Sequence, residues 1–202
     1  MGIETRLDII LGYPGSGKST FGRQHCNETG ALLVDEDQPA VDFEKGLTGE
    51  YVNFATFNPF YLLQRLQKAG INQERINFSL LMFFNNENNA RLGSALAQHN
   101  HVVLVSNRFG LPTERGELLK KVRATTITIS SYWMDLDMTG SYQRTIARSS
   151  AIFPVTYSFD EYSKLMRNIQ KPHQGESIDK FFVVRNGYAI EEQAGKLTQA
   201  SS

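Results

Sequence analysis

The sequence predicts an α/β fold in which a parallel sheet of about five strands lies between two layers of helices. Three observations support this prediction. Short apolar runs alternate with helix-compatible stretches, a glycine-rich segment joins the first run to the first helix, and the acidic residues 35–37 directly follow the second run. Polar groups at the carboxyl ends of parallel strands are typical of the binding edge of α/β proteins.

The first half of the chain predicts two strands and three helices. Residues 7–11 form an apolar run that ends in glycine, as a buried parallel strand does, and 31–34 form a second run. A helix is expected between them at 18–27. Residues 38–100 are expected to be a helical insertion, irregular and aromatic at 38–58, with helices at 59–69 and 74–99. Within the second of these helices, asparagines follow a segment that is apolar all round, so we expect a buried helix and then a polar turn near 85–89.

The second half continues the alternation. A third strand is expected at 101–106, and a fourth at 126–132 because β-branched residues are frequent there. Ser158 or Thr156 is a suitable N-cap for a late helix. We expect helices at 113–124, 139–148 and 158–169, an irregular lid at 149–157, and a last strand at 181–184.

Length and charge favour one domain without a strong external field. A chain of 202 residues can bury one core, and we expect the domain to cover residues 1–193, with a frayed tail at 194–202. Lys and Arg together number 21, as do Asp and Glu, so the net charge is zero and any contact with phosphates must be local.

Cysteine usage and hydropathy favour a cytoplasmic protein. The single cysteine, Cys26, excludes an intrachain disulfide and a CxxC site. Charged residues interrupt the apolar positions of residues 1–11, and no uncharged apolar run reaches about 18 residues. We therefore expect neither a signal peptide nor a membrane partner.

The glycine-rich segment at residues 12–19 fits the pattern GxxxxGK[ST] without a mismatch. Glycines let backbone N–H groups converge on an anion at a helix N-terminus. The pattern predicts a three-layer P-loop NTPase that uses ATP and Mg²⁺, in which Lys18 binds the β- and γ-phosphates and Ser19 ligates the metal. The expected nucleotide-binding residues are Gly12, Pro14, Gly15, Ser16, Gly17, Lys18, Ser19 and Thr20.

A nucleotide site alone would suit a switch, a motor or a kinase. The chain lacks the NKxD pattern with which GTPase switches read guanine, and it is short for a motor. A kinase needs a base for the acceptor hydroxyl and cations for the moving charge. Asp37 is the favoured base and Asp35 the alternative, although the acidic run also suits a solvated loop or a helix N-cap. Arg144 and Arg148 lie on one helix face before the lid, where they could reach the phosphates or form surface salt bridges.

Two further residue types are expected to have structural roles. The four histidines, at 25, 99, 101 and 173, show no paired ligand spacing, so metal binding through imidazole is not expected. Trp133 is expected to pack at a strand end.

Several segments resemble the P-loop kinases that include the phage-type polynucleotide 5′-hydroxyl kinases and, further off, gluconate kinases. Residues 12–21 resemble the GxPGSGKST opening of that family, and 34–37 fall where it carries an acceptor-activating aspartate, which implies Asp37. The third strand departs from it, because Ser106 and Asn107 stand where the polynucleotide kinases have an aspartate. Three shorter similarities follow. Residues 105–107 and Pro112–Arg115 resemble the family's third strand and its continuation, Arg144 and Arg148 resemble its RxxxR pair, and residues 172–179 have its PxxxExxD spacing.

The resemblance implies an ATP- and Mg²⁺-dependent kinase that phosphorylates a hydroxyl on a nucleic acid. The acceptor would be a DNA 5′-hydroxyl or the hydroxymethyl group of a modified base such as 5-hydroxymethyluracil. The aromatic residues Tyr51, Phe54, Phe57 and Tyr61 could stack bases or pack inside the insertion. Two alternatives stay open, a kinase of nucleosides, nucleotides or sugar acids, and a non-catalytic nucleotide sensor. The oligomeric state is left open as well.

Overall fold

The central feature of the fold is a sheet whose strands follow the order β2-β3-β1-β4-β5-β6. The first five strands along the chain pair in parallel, and β6 is antiparallel to β5. The strands are β1 (Thr5–Leu11), β2 (Leu32–Asp35), β3 (His101–Val105), β4 (Ile127–Met134), β5 (Lys180–Arg185) and β6 (Tyr188–Glu191). The predicted α/β fold is confirmed, with one strand more than expected.

The computed structural model describes residues 5–50, 52–123, 127–148, 158–173 and 175–192. The expected lid at 149–157, the expected tail at 194–202, Tyr51 and the alternative N-cap Thr156 lie outside these residues. The described helices are α1 (Lys18–Thr29), α2 (Gln38–Leu47), α3 (Pro59–Lys68), α4 (Gln73–Gln98), α5 (Pro112–Val122), α6 (Met138–Ala147) and α7 (Phe159–Met166).

Strand β1 is buried on both faces because it lies between β3 and β4. Leu7, Ile9 and Leu11 face one apolar cluster, which includes side chains of α4 and α5. Ile10 faces the opposite cluster, to which Phe21 of α1 belongs. Burial on both faces explains why the strand reads as a nearly continuous apolar run.

The register of the strands brings the functional loops to one edge. Ile10 pairs with Val105, and Asp35 also pairs with Val105, so β1, β2 and β3 end at the same level. The loops that follow β1, β2 and β3 begin next to one another. Ser106 N donates to Ile10 O at 3.2 Å, and Glu36 N donates to Val105 O at 3.1 Å.

The insertion differs from its prediction in two places. Residues 38–47, expected to be irregular, form α2, and the expected turn near 85–89 is absent because α4 runs unbroken through it. The polar run stays helical because its buried members have partners. Glu87 accepts the backbone N–H groups of Ala55 and Thr56 at 2.6 and 2.9 Å, and Asn88 Nδ2 donates to Glu36 O at 2.9 Å. The Asn88 bond also attaches the insertion to the acidic loop after β2.

Strand β6 was not predicted. Asn186 and Gly187 both have positive φ, 51° and 84°, between the antiparallel strands β5 and β6. This is the conformation of a two-residue hairpin turn for which Asn-Gly is a strong signal. The sequence contained that signal, but the strand after it has only four residues and is exposed throughout, so no alternation of buried and exposed positions indicated it.

A buried ion pair joins two of the segments that carried the family resemblance. Arg115 of α5 is fully buried, and its Nη2 donates to Glu176 Oε1 at 2.7 Å while its Nε donates to Oε2. Arg115 Nη1 also donates to Phe109 O at 2.8 Å. Burial by itself would raise the pKa of Glu176, but the Arg115 contacts outweigh it and the pKa is lowered. These residues therefore hold α5 against the segment that leads into β5.

We expect Arg115→Ala to lower the free energy of unfolding by about 3–5 kcal/mol, because Glu176 is left partly buried without its charge partner. The matched control is Arg123→Ala, whose pair with Asp179 is half-exposed and should contribute no more than about 1 kcal/mol. Because the pKa of Glu176 is lowered, the stability from this pair is present above its unfolded pKa and is lost as the pH falls through the native pKa. Urea unfolding of both variants across acidic pH measures these effects; equal losses would contradict the prediction.

Candidate functional site

The glycine-rich loop folds around the Lys18 ammonium group. Gly12, Gly15 and Gly17 have φ values of 147°, 82° and 95°, which glycine adopts without a Cβ clash. Lys18, the first residue of α1, is 5% exposed, and its Nζ donates to Gly12 O at 2.9 Å and Tyr13 O at 2.7 Å. The loop carbonyls thus satisfy a charge that would otherwise be buried without partners.

Helices α6 and α7 support the loop from outside. The buried Tyr162 of α7 donates its hydroxyl to Pro14 O at 3.0 Å. Helix α6 approaches so closely that a Cβ atom built on Gly15 would lie 2.2 Å from Ser141 O. Trp133 packs edge-on against Tyr13, with ring centroids 5.9 Å apart, which confirms its expected place at a strand end.

A cavity of about 200 Å³ brings several of the predicted site residues together. Its walls come from the loop, the acidic segment after β2, the end of β3 and the end of α6. The lining residues are Pro14, Gly15, Gly17, Lys18, Ser19, Asp37, Asn107, Thr145 and Arg148. Of the other expected loop residues, Gly12 and Ser16 are buried and Thr20 is exposed on the first turn of α1.

The two expected arginines lie at the end of α6. Arg148 is the C-cap of this helix, is exposed, and lines the cavity. Arg144 lies one turn earlier, and its Nη1 is 4.0 Å from the position that a Cβ atom on Gly17 would occupy. Both guanidinium groups therefore lie next to the glycine-rich loop.

The two expected aspartates occupy different positions. Asp37 takes the N-cap position of α2, but its side chain makes no capping hydrogen bond and faces the cavity, where Asn107 Nδ2 lies 3.4 Å from its Oδ1. Surrounding protein and the neighbouring Asp35 raise the pKa of Asp37, while Lys18 and Arg148 act against this rise. Asp35 Oδ1 instead accepts the N–H of Asp37 at 3.1 Å and so shapes the turn.

Glu36 was not singled out by the sequence, yet it connects the ends of β2 and β3. Ser106 Oγ donates to one carboxylate oxygen of Glu36, and Arg108 Nη2 lies 3.1 Å from the other. Burial raises the pKa of Glu36, with Ser106 and Arg108 opposing the rise and Asp37 adding to it. A carboxylate therefore lies beside Ser106, where the resembling kinases have an aspartate. Sequence alone could not show this, because the two residues are 70 positions apart.

Electrostatics of the site centre on Lys18. Burial lowers the pKa of Lys18 to about 8, Asp37, Asp35 and Glu36 oppose that shift, and Arg148 reinforces it. An ammonium group whose only described hydrogen bonds go to loop carbonyls can exchange those carbonyls for stronger anionic acceptors.

The loop fits the phosphate chain of a nucleotide. Ser16 Oγ is buried and has no hydrogen-bond partner among the described residues, so one donor of the loop stays unused. Lys18 supplies a positive charge, and Ser19 places a hydroxyl in the same cavity. A helix N-terminus with these groups suits phosphate oxygens, and a hydroxyl beside carboxylates suits Mg²⁺.

Fold and site together define a P-loop NTPase. Residues 7–169 match the family model described as an AAA domain, and the chain belongs to that family. A comparison with curated proteins gave no match. Among the described residues, no helix combines the length and the apolar character that crossing a membrane requires.

Solved structures are similar to this chain at low sequence identity. A chain of the PezAT toxin–antitoxin system of Streptococcus pneumoniae has a TM-score of 0.59 and 10% identity, over 98% of this chain and 75% of that chain. Deoxyadenosine kinase from M. mycoides has a TM-score of 0.52 and 12% identity, over 89% and 90%. A gluconokinase from Sinorhizobium meliloti 1021 has a TM-score of 0.46 and 16% identity, over 91% and 85%.

We expect Gly15→Ala to destabilise the protein more than Gly17→Ala. Both positions have positive φ, which costs an alanine about 1–2 kcal/mol, but a Cβ at Gly17 meets no atom closer than 3.9 Å whereas one at Gly15 collides with Ser141 O. The collision should add about 1–3 kcal/mol. Urea unfolding of the two variants gives the difference, and equal stabilities would show that α6 does not press on the loop.

Proposed function

We propose that this protein is a kinase that transfers the γ-phosphate of ATP to a hydroxyl group in a Mg²⁺-dependent reaction. The observation that carries the proposal is that Lys18, Ser19, Asp37 and Arg148 line one cavity. They supply a phosphate-binding cation, a metal-binding hydroxyl, a carboxylate and a second cation. Kinase catalysis needs these groups and little else from the protein, because it depends on positioning and charge neutralisation.

The cationic side chains hold the phosphates. Lys18 would leave the carbonyls of Gly12 and Tyr13 for phosphate oxygens, without leaving the loop. Arg148, exposed at the end of α6, can turn toward the transferred group. Ser19 would hold Mg²⁺, which when bound neutralises phosphate charge and orients the β- and γ-oxygens.

Asp37 is the proposed base. The acceptor hydroxyl oxygen forms a bond to the γ-phosphorus as the bond from that phosphorus to the bridging oxygen breaks. The hydroxyl proton passes to Asp37, and ADP leaves with the electron pair of the broken bond. The raised pKa of Asp37 makes it a better proton acceptor than an ordinary aspartate.

The first acceptor hypothesis is a hydroxyl on a nucleic acid, either a DNA 5′-hydroxyl or the hydroxymethyl group of a base such as 5-hydroxymethyluracil. It is supported by the resemblance of residues 12–21 and 34–37 to polynucleotide kinases. Phe57 and Tyr61 are 50% and 67% exposed, so their rings are accessible to bases. Phe54 and Phe57 both pack edge-on against Phe83, but Phe54 is partly buried in the insertion and so exposes less of its ring.

A second acceptor hypothesis is a small molecule, a nucleoside, a nucleotide or a sugar acid. It is favoured by a cavity of about 330 Å³ between β2 and α4, whose lining includes Asp35, Gln38 and Arg91. That volume lies in the range of small-ligand sites. Asp35 lines this cavity and accepts a hydrogen bond from the N–H of Asp37, which lines the cavity at the loop.

The proposal is tested by incubating the full chain with γ-labelled ATP and Mg²⁺ and three acceptor groups. These are 5′-hydroxyl oligonucleotides, DNA containing 5-hydroxymethyluracil, and a panel of nucleosides, nucleotides and sugar acids. Label in either DNA supports the first acceptor, and label in the panel alone supports the second. ATP binding without label in any acceptor would overturn the kinase proposal in favour of a nucleotide sensor.

With the labelled acceptor, Asp37→Asn should lower kcat by about 10²–10⁴-fold, the usual contribution of a general base, and leave KM for ATP close to that of the parent. Asp35→Asn is the matched control, since asparagine can still accept the Asp37 N–H, and its loss should be much smaller. Steady-state kinetics separates the two variants. Full turnover in Asp37→Asn would remove Asp37 from this role, and a larger loss in Asp35→Asn would transfer the role there.

We expect ATP affinity to fall above pH 8. The pKa of Lys18 is lowered to about 8, and the protonated form binds phosphate, so Kd should increase by up to about tenfold between pH 8 and pH 9. Lys18→Arg is the control, because its guanidinium stays charged over this range and its Kd should not change with pH. Calorimetric titration from pH 6.5 to 9 measures both proteins, and parallel curves would exclude Lys18 as the titrating group.

A further inference from the structure

One carboxylate and two imidazoles meet at the C-terminal half of α1, at the opposite end of that helix from the glycine-rich loop. Asp8 lies in the middle of β1, His25 on α1 and His101 at the start of β3. Asp8 Oδ2 is 2.7 Å from His25 Nε2 and 2.9 Å from His101 Nε2, and the three atoms all lie within 4.8 Å of one another. The two imidazole rings are nearly perpendicular, at 89°. Three elements that are distant along the chain thus present three potential ligand atoms to one point.

The surroundings leave one oxygen of Asp8 for this cluster. Arg6 Nε donates to the other oxygen, Oδ1, at 2.8 Å, and Arg6 Nη2 donates to the Tyr132 hydroxyl at 3.1 Å. Arg6 therefore fixes the carboxylate so that Oδ2 faces the histidines. The Asp8 side chain is fully buried, while His25 and His101 are 12% and 19% exposed, so a small ion can reach the cluster from the histidine side.

The donor set selects a class of ion. Two imidazole nitrogens and one carboxylate oxygen suit Zn²⁺ and its first-row neighbours, whereas Mg²⁺ and Ca²⁺ prefer oxygen ligands alone. Bonds of about 2.0–2.2 Å to a tetrahedral ion would separate its ligand atoms by about 3.3–3.5 Å. The two distances from Asp8 Oδ2, 2.7 and 2.9 Å, therefore need to lengthen by about 0.4–0.8 Å, and the partly exposed histidines are the side chains that would move.

We propose that Asp8, His25 and His101 form a binding site for a divalent transition-metal ion, with Zn²⁺ as the representative, and with a further coordination position open to water. The metal would replace the two hydrogen bonds to Asp8. Each histidine would bind it through Nε2, which gives up its proton to solvent, and would carry its one remaining proton on Nδ1. No spacing pattern in the sequence indicates this site, because its ligands come from a strand, a helix and a second strand.

This site is separate from the proposed nucleotide site and does not depend on the kinase activity. Asp8 precedes Gly12 by four residues, which is about 13 Å along a strand. His25 follows Lys18 by seven residues, which is about 10 Å along α1. A metal at this position would tie α1 to β1 and β3, and so fix the helix whose first residue is Lys18.

The test uses the full chain with any purification tag removed, titrated with Zn²⁺ by calorimetry and with Co²⁺ by visible absorption. We expect one Zn²⁺ per chain, a Co²⁺ spectrum with nitrogen and oxygen ligands, and a Tm raised by roughly 5–10 °C at a free Zn²⁺ concentration 100 times Kd. His25→Ala and His101→Ala should each weaken Zn²⁺ binding by more than about 100-fold, since losing even an outer partner of a metal ligand costs 10–100-fold.

Four further variants keep the test decisive. His99→Ala, at an exposed histidine two positions from His101, should bind Zn²⁺ as the parent does. If an alanine variant fails to fold, His25→Gln and His101→Gln replace it, because glutamine still donates to Asp8 but is a poor metal ligand. Lys18→Ala should keep full Zn²⁺ affinity, which separates this site from the nucleotide site. Absence of stoichiometric binding, or unchanged binding in folded His25→Gln and His101→Gln, would overturn the proposal.

Discussion

The ammonium group of Lys18 is the constraint around which the site is arranged. It is almost fully buried at the first residue of α1, and the described partners that satisfy it are two carbonyls of its own loop. Burial would favour loss of its proton, and the acidic segment after β2 opposes that loss at long range. The loop shape, the register that brings β2 beside β3, and the acidic run all act to keep one desolvated positive charge where an anion can meet it.

The elements around this charge are held by polar contacts as much as by the apolar core. Tyr162 of α7 donates a hydrogen bond to Pro14 O in the glycine-rich loop. Hydrogen bonds of Glu87 and Asn88 attach α4, the long helix of the insertion, to the loops near β2. The ion pair between Arg115 and Glu176 holds α5 against the segment that leads into β5. Each contact is directional and buried or partly buried, so it fixes the distance between loops that apolar packing alone would leave less defined.

Helix α1 has polar groups at two distinct places. Its first turn belongs to the glycine-rich loop, and His25, further along, belongs to the cluster with Asp8 and His101. Both places connect α1 to β1. Asp8 lies within this strand, and Gly12 begins the loop that follows the strand's last residue. The position of this one helix relative to the sheet therefore decides the geometry of the phosphate loop, and polar side chains as well as Phe21 determine that position.

The sequence determined the features that depend on neighbouring residues. The P-loop pattern, the buried central strands and the helices after them follow from local conformation and periodicity, so the α/β fold and the loop residues could be predicted. The tertiary structure alone decided where side chains from distant segments meet. It kept residues 85–89 helical by giving the buried side chains of Glu87 and Asn88 hydrogen-bond partners, placed Glu36 against Ser106, and joined Asp8 to two histidines. These outcomes depend on strand order and register, which residues far apart in the chain determine together.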